Sequence, residues 1–364
     1  MIVVDRVWFW PVLILAGWLL LVSIVHSAAS WWWQRTLVAY RLDTPARTSP
    51  VEVAAWVGAL RSLLRPTRAG GLVPGWPIGV EITGTHSGIE RVVVVPRRWW
   101  PDVQAAVTAT LPGTRVTELP GYPRARFARC RLAGEARNRA GGNMLATQRA
   151  QEASRYLLAA LQPLGPGEMV RVQWLLSGAR APRAAFRTTP PADVRRALGP
   201  RWSGTDPVLH GVCRVGVAAG SWRRRRNLFR RAWSALRGLN TPGAVVRRRW
   251  WLPSLLVAHR LRRRRTPWWR WPLTVTNREV AGLLGLTTGA SGLPGLPAGV
   301  TRSLPPPVRL PRTGVVLGES TYPGTRTLLR LRAEDRLRHV WAVGPTGVGK
   351  STLLGNMIIP GARG

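Results

Sequence analysis

Lysine is almost missing from this sequence. Lys350 is the only one, and the rest of the 54 Lys and Arg residues are arginines. Acids are scarce as well: 16 Asp and Glu leave a formal net charge of +38. A coding bias toward Arg, Ala, Gly, Pro and Trp accounts for arginine replacing lysine, but not for so few acids. A surplus on this scale points to polyanions, either nucleic acid or the anionic face of a membrane. Cysteine is limited to Cys130 and Cys213, far apart and without a neighbouring Cys or His. That spacing excludes a zinc or disulfide pattern and fits a reducing compartment, with both thiols in ordinary packing.

The chain opens on a long apolar run. Residues 7–30, VWFWPVLILAGWLLLVSIVHSAAS, hold no formal charge apart from a protonated His26. About 20 residues suffice to cross a bilayer core. Aromatic residues sit at both ends of the run, Trp8-Phe9-Trp10 at its start and Trp31-Trp32-Trp33 just after it, where an interfacial belt belongs. A cleaved signal peptide is the rival reading, but its apolar region is shorter and it starts strongly basic, whereas Asp5 stands here. The run reads as a retained anchor. Arg35, Arg41 and Arg47 follow it and only Arg6 precedes it. The positive-inside bias then gives a single-pass protein of the cytoplasmic membrane with the bulk of the chain in the cytoplasm.

Six segments follow from the pattern. Residues 1–35 are the anchor and 36–70 a juxtamembrane helix, started by Ser49-Pro50-Val51-Glu52 at capping-box spacing. Residues 71–220 are an α+β domain with strands expected at 79–85, 89–96, 114–119, 125–133, 168–177 and 211–219. Its helices are expected near 99–111, 147–161 and 190–198. Residues 221–275 are a basic Arg/Trp-rich region. Residues 276–313 start as a helix, with Thr276 and Glu279 again at capping-box spacing, and continue as a Gly/Pro-rich linker. Residues 314–364 hold two short strands and the beginning of a P-loop NTPase domain.

The last segment carries the sharpest motif. Gly344-Pro345-Thr346-Gly347-Val348-Gly349-Lys350-Ser351-Thr352 matches a phosphate-binding loop, with an apolar strand expected at 339–343 and a helix after it. The glycines let backbone N–H groups turn inward on a phosphate, and the helix N-terminus adds partial positive charge. Lys350 would bridge the β- and γ-phosphates of ATP, and the Ser351 hydroxyl would ligate Mg²⁺. The rival is a glycine-rich turn before a helix. Turnover needs an acid on a second strand, and the last acid here is Asp335, ahead of the loop. The expected state is therefore an incomplete motor, a fragment that binds nucleotide without a catalytic set of its own.

The basic region holds 16 arginines and no acid between residues 221 and 270. Arg223, Arg224, Arg225, Arg226 and Arg262, Arg263, Arg264, Arg265 form its two densest clusters. Three readings stay open: a solvated basic face, nucleic-acid backbone contact with stacking on tryptophans, and interfacial membrane binding beside the anchor.

Taken in order, the anchor, the α+β region, the Gly/Pro-rich approach and RHVWAVGPTGVGKSTLL resemble the type IV secretion and conjugative coupling ATPases of the HerA–FtsK class. Gly344, Gly347, Gly349, Lys350, Ser351 and Thr352 carry the resemblance, with weaker similarity at 79–119 and 278–286. It implies the N-terminal part of a hexameric, membrane-bound motor that uses ATP to move DNA, working with a secretion channel and a relaxase. The alternative is a non-enzymatic, membrane-tethered nucleic-acid-binding or scaffold protein with a vestigial P-loop.

Overall fold

The computed structural model describes residues 4–45, 47–64, 76–124, 130–138, 143–179, 200–203, 206–267, 271–287, 310–311, 313–319, 327–332, 334–337 and 349–358. The chain divides into two compact units, Met1–Val300 and Thr301–Gly364.

The first unit starts with helix α1 (Val4–Arg35), and only Thr36 separates it from strand β1 (Leu37–Asp43). Then come α2 (Pro50–Leu60), the hairpin β2 (Ile78–Thr85) and β3 (Gly88–Pro96), α3 (Trp100–Thr110), β4 (Arg115–Glu118) and β5 (Leu132–Arg137). Helix α4 (Ala150–Ala160), β6 (Met169–Gly178), α5 (Pro200–Ser203) and β7 (Val208–Ala218) continue the chain. The unit closes with α6 (Trp222–Leu236), β8 (Arg247–Arg248), α7 (Ser254–Arg262), β9 (Leu273–Thr276) and α8 (Asn277–Ala281).

These strands make one nine-stranded sheet in the order β4-β1-β3-β2-β6-β7-β5-β8, with β9 beside the first residues of β7. Both of its faces are covered. Residues of α2, α3, α4, α6 and α8 bury one face together with Val93, Val95, Trp174 and Val215. On the other face Val92 and Val94 pack with Trp33, Leu37 and Tyr122, and α7 lays Val257, Ala258 and Leu261 beside Ala133 and Met169. Double coverage explains why β3 reads as an unbroken Val92–Val95 run instead of an alternating strand.

Two glycines on the sheet let helices approach. A Cβ on Gly134 would stand 2.7 Å from Phe229 of α6, and one on Gly216 would stand 2.9 Å from Leu261 of α7. The Arg/Trp-rich stretch thus forms two helices on opposite faces of the sheet. The expected hairpin lies within one residue of its predicted bounds, whereas the strand expected at 125–133 is β5, at Leu132–Arg137. The helix expected at 190–198 lies outside the described residues. Both capping boxes form. Glu52 Oε2 accepts from Ser49 N at 2.7 Å, and Glu279 Oε2 accepts from Thr276 N at 2.7 Å.

The second unit shows an antiparallel hairpin, β10 (Val315–Glu319) with β11 (Leu328–Leu331), and helix α9 (Lys350–Ile358). The expected fold class, an α+β region leading into the first strand, loop and helix of an α/β P-loop NTPase, is corrected here. Every strand pair among the described residues is antiparallel, whereas a P-loop domain is built on parallel strands joined by crossovers. The expected strand 339–343 lies outside the described residues. The body of the chain is a large antiparallel sheet flanked by helices.

The two capping glutamates should differ in what their loss does. Glu279, fully buried, also pairs with buried Arg201 at 2.7 Å. Glu279→Ala should destabilise by about 3–5 kcal/mol because it strands a buried guanidinium. Glu52→Ala, at a half-buried cap, should lose about 1 kcal/mol. Urea unfolding of the detergent-solubilised chain measures both, and equal losses would contradict the assignment.

Candidate functional site

Four polar side chains cross the middle of the sheet in one straight row. Strand register sets Glu81 on β2 opposite Gln173 on β6, Gln173 opposite Arg214 on β7, and Arg214 opposite Glu135 on β5. All four are buried. Gln173 Nε2 donates to Glu81 Oε1 at 2.9 Å, Arg214 Nη1 to Gln173 Oε1 at 3.2 Å, and Arg214 Nε to Glu135 Oε2 at 2.9 Å. Arg249 completes the far end with a 2.6 Å bond to Glu135 Oε1.

The row holds the C-terminus of α7. Gln173 donates to Leu261 O at 2.9 Å and Arg214 Nη2 to Arg265 O at 2.6 Å. The helix closes with Arg264 N bonded to Leu261 O and Arg265 N bonded to Arg260 O, the two bonds of a Schellman ending. The left-handed residue in such an ending is usually glycine, yet Arg264 occupies it with φ 46°. Its guanidinium turns into the sheet and donates to both Glu81 oxygens, at 2.7 and 3.1 Å. Tyr122 donates to Glu81 as well, at 3.0 Å. Burial on its own would raise the Glu81 pKa. The charges of Arg264 and Arg171, with the hydrogen bonds from Arg264 and Gln173, outweigh burial and hold it down at about 2.

The same segment receives helix α1. Gln34 donates to Arg263 O at 2.6 Å, Arg265 Nη1 donates to Ser27 Oγ at 3.4 Å, and His26 Nε2 lies 3.3 Å from Thr266 Oγ1. Among the described residues α1 is the one helix long and apolar enough to cross a membrane. Every side chain described from Trp10 to Leu21 is exposed. Beyond them Val22, His26, Ser30 and Trp33 are buried, one stripe at helical spacing lying on the domain.

Where α1 ends, tryptophans and arginines from three segments meet. The Trp32 and Trp76 ring centroids are 5.1 Å apart, and Trp76 and Trp99 are 6.3 Å apart. Arg98 lies 4.0 Å over Trp76, and Arg35 lies 3.6 Å over Trp31. Arg97 N donates to Thr36 O at 2.8 Å and fixes the turn after β3 against the end of α1.

The structure distributes the arginines singled out from sequence. Arg223 and Arg226 are exposed on the first turn of α6, while Arg224 pairs with Glu168 at 2.8 Å and Arg225 bonds the carbonyls of Ala219 and Gly220. Arg262 and Arg263 are exposed, Arg264 is the buried partner of Glu81, and Arg265 faces α1. The two clusters are not brought together. Of the loop residues, Gly344, Pro345, Thr346, Gly347 and Val348 lie outside the described residues. Gly349 has φ 89° and Lys350, Ser351 and Thr352 begin α9. Glu81, Gln173, Arg214, Trp76 and Trp99 were not singled out from sequence, since register and long-range packing alone bring them together.

No family model matches the chain, and no curated protein does. Among solved structures, the glucooligosaccharide oxidase from Acremonium strictum, an enzyme with 6-S-cysteinyl, 8α-N1-histidyl FAD, matches at 9% identity. The match covers 50% of this chain and 38% of that chain, with a TM-score of 0.23. These findings correct the expected resemblance. No family model and no curated protein ties the chain to the HerA–FtsK class. ATP-driven DNA transfer, the alternative of a nucleic-acid-binding or scaffold protein with a vestigial loop, and ATP with Mg²⁺ as cofactors are withdrawn together. The ATP readings rested on a nine-residue motif whose strand and greater part lie outside the described residues, and the nucleic-acid reading rested on arginine clusters that the fold divides among ion pairs, backbone caps and separate faces. A likeness so slight assigns neither the oxidase's fold nor its flavin to this chain.

Glu81→Gln keeps the shape and removes the charge, so Arg264 and Arg171 lose their buried counter-ion. The loss should be about 3–5 kcal/mol of stability. The wild-type carboxylate titrates lower in the folded than in the unfolded state. Its contribution is therefore complete above the ordinary carboxylate value of 4.5 and is lost as pH falls from there toward about 2. Melting curves between pH 6 and 2 should show a steeper acid decline for the wild type than for Glu81→Gln, and parallel declines would contradict the pairing.

Proposed function

We propose that this chain is a single-pass protein of the cytoplasmic membrane whose sheet domain works on the cytoplasmic face of the bilayer, held there in one orientation by its own anchor. The observation that carries the reading is the absence of a linker: Thr36 alone stands between α1 and a strand inside the sheet. A tether that lets a domain roam needs a flexible stretch, and none intervenes. Trp33, 2% exposed, belongs to the cluster that also holds Leu37, Val92 and Val94. Within the apolar run Val22, His26 and Ser30 are buried against the domain, and cleavage of the run as a signal peptide would strip those side chains away, which favours a retained anchor. The arginines after the run, against Arg6 before it, favour the cytoplasmic side.

The Trp–Arg collar at the end of α1 suits a headgroup layer, where amphipathic rings and guanidinium groups both find partners. Helix α7 adds exposed Leu255 and Leu256 beside exposed Trp250 and Trp251, in a stretch rich in arginine. Arginine and tryptophan on such a surface favour contact with an anionic leaflet.

Cys130 and Cys213 are buried, and burial pushes both thiols up, so an introduced cysteine is the one that labels. Val51 is 77% exposed on α2. In spheroplasts Val51→Cys should resist an impermeant maleimide until the membrane is permeabilised, and the chain should stay with the membrane through alkaline carbonate. Labelling of intact spheroplasts would overturn the cytoplasmic placement, and release by carbonate would overturn the anchor.

A further inference from the structure

Beside the collar runs a groove of about 410 Å³, bounded by the last turn of α1, the first residues of β1, the turn after β3 and residues 118–123. Its volume lies within the roughly 300–1,000 Å³ typical of small-molecule sites. Leu37, Leu119 and Pro123 give it apolar walls, and Arg35, Arg97 and Glu118 are its charged groups. All three charged side chains are exposed, and neither arginine forms an ion pair with a described acid. The position follows from the fold. The segment that ends the membrane helix supplies Arg35, and the turn that supplies Arg97 is bonded to Thr36.

We infer that this groove is a phospholipid headgroup site, in which Arg35 and Arg97 hold the phosphodiester and Glu118 accepts hydrogen bonds from a hydroxyl or ammonium headgroup. Guanidinium forks match phosphate oxygens, and two of them leave the groove positive even with Glu118 present. The carboxylate then sets a preference. Phosphatidylglycerol and phosphatidylethanolamine carry O–H or N–H donors for it, and phosphatidylcholine carries none. Arg35 also lies over Trp31, so the groove adjoins the tryptophan collar through one of its own arginines.

The inference rests on the membrane reading, and the test separates the two. The full-length chain in detergent is offered phosphatidylglycerol, phosphatidylethanolamine or phosphatidylcholine, and bound lipid is counted by native mass spectrometry. One molecule of either donor-bearing lipid should be retained, with phosphatidylcholine clearly weaker. Arg35→Gln with Arg97→Gln should lower occupancy about tenfold, the scale of one lost charge-assisted hydrogen bond. Glu118→Gln, which removes no fold contact given above, should retain the lipid and lose the discrimination against phosphatidylcholine. Arg223→Gln with Arg226→Gln removes the same charge from α6, on the other face of the sheet, and should change nothing. Wild-type occupancy in the Arg35/Arg97 variant, equal retention of phosphatidylcholine by the wild type, or displacement by millimolar inorganic phosphate would each overturn the assignment. A chain that carbonate releases from membranes sinks the membrane reading, whereas an embedded chain with unchanged lipid counts sinks the groove alone.

Discussion

Arg264 reaches from the end of α7 into the middle of the sheet and takes both oxygens of Glu81. A non-glycine residue in the left-handed region costs roughly 1–2 kcal/mol. Two charge-assisted hydrogen bonds in a buried setting offset that cost and give the conformation a reason. The backbone turn at Arg264 then aims the residues on either side of it at α1: Arg263 offers its carbonyl to Gln34, and Arg265 reaches Ser27. One ion pair therefore links the sheet, the end of α7 and helix α1. Truncating Glu81 takes the buried carboxylate from both Arg264 and Arg171, so the junction depends on that one side chain.

The composition acquires a structural meaning from the same contacts. Arg171, Arg201, Arg214 and Arg264 are among the buried side chains, and Glu81, Glu135 and Glu279 are their buried carboxylate partners. A chain with only 16 acids places three of them where interior guanidinium groups need counter-charge. Arg214 also shows why a lysine would not serve. It bonds Glu135, Gln173 and the carbonyls of Arg260 and Arg265 at once, a use of the planar five-donor fork that a single ammonium cannot copy. Part of the positive surplus is thus internal structure, and of the exposed arginines Arg35, Arg97 and Arg263 lie at the end of α1 while Arg223 and Arg226 lie on α6.

Local chemistry in the sequence foretold local structure well. Ser49–Glu52 and Thr276–Glu279 start helices through the boxes their spacing implied, and the turn at His86–Ser87 joins the strands expected around it. The helix after Thr276 ends at Ala281, earlier than its apolar run suggested, and Gly285 follows with φ 58°. The basic stretch gave no such guidance. Its arginines hid the apolar stripe Leu228, Phe229, Ala232, Ala235 and Leu236 that makes α6 a core helix. The polar row was hidden for a different reason. Glu81, Gln173, Arg214 and Glu135 are up to 133 residues apart by number, and register alone sets them side by side. The loop motif misled by its own clarity: a short match with correct glycines fixes a local turn and leaves the surrounding sheet undetermined.

If α1 and the sheet form one body through Arg264, the distance between them has one value. Spin labels on Leu21→Cys, in the exposed part of α1, and on Val51→Cys, exposed on α2, report that distance in lipid nanodiscs by pulsed electron resonance. The account predicts a single narrow distribution for the full-length chain that broadens when Glu81→Gln is added. A distribution already broad with Glu81 intact would contradict it, because the helix would then swing about Thr36 and the junction would be no more than a resting contact.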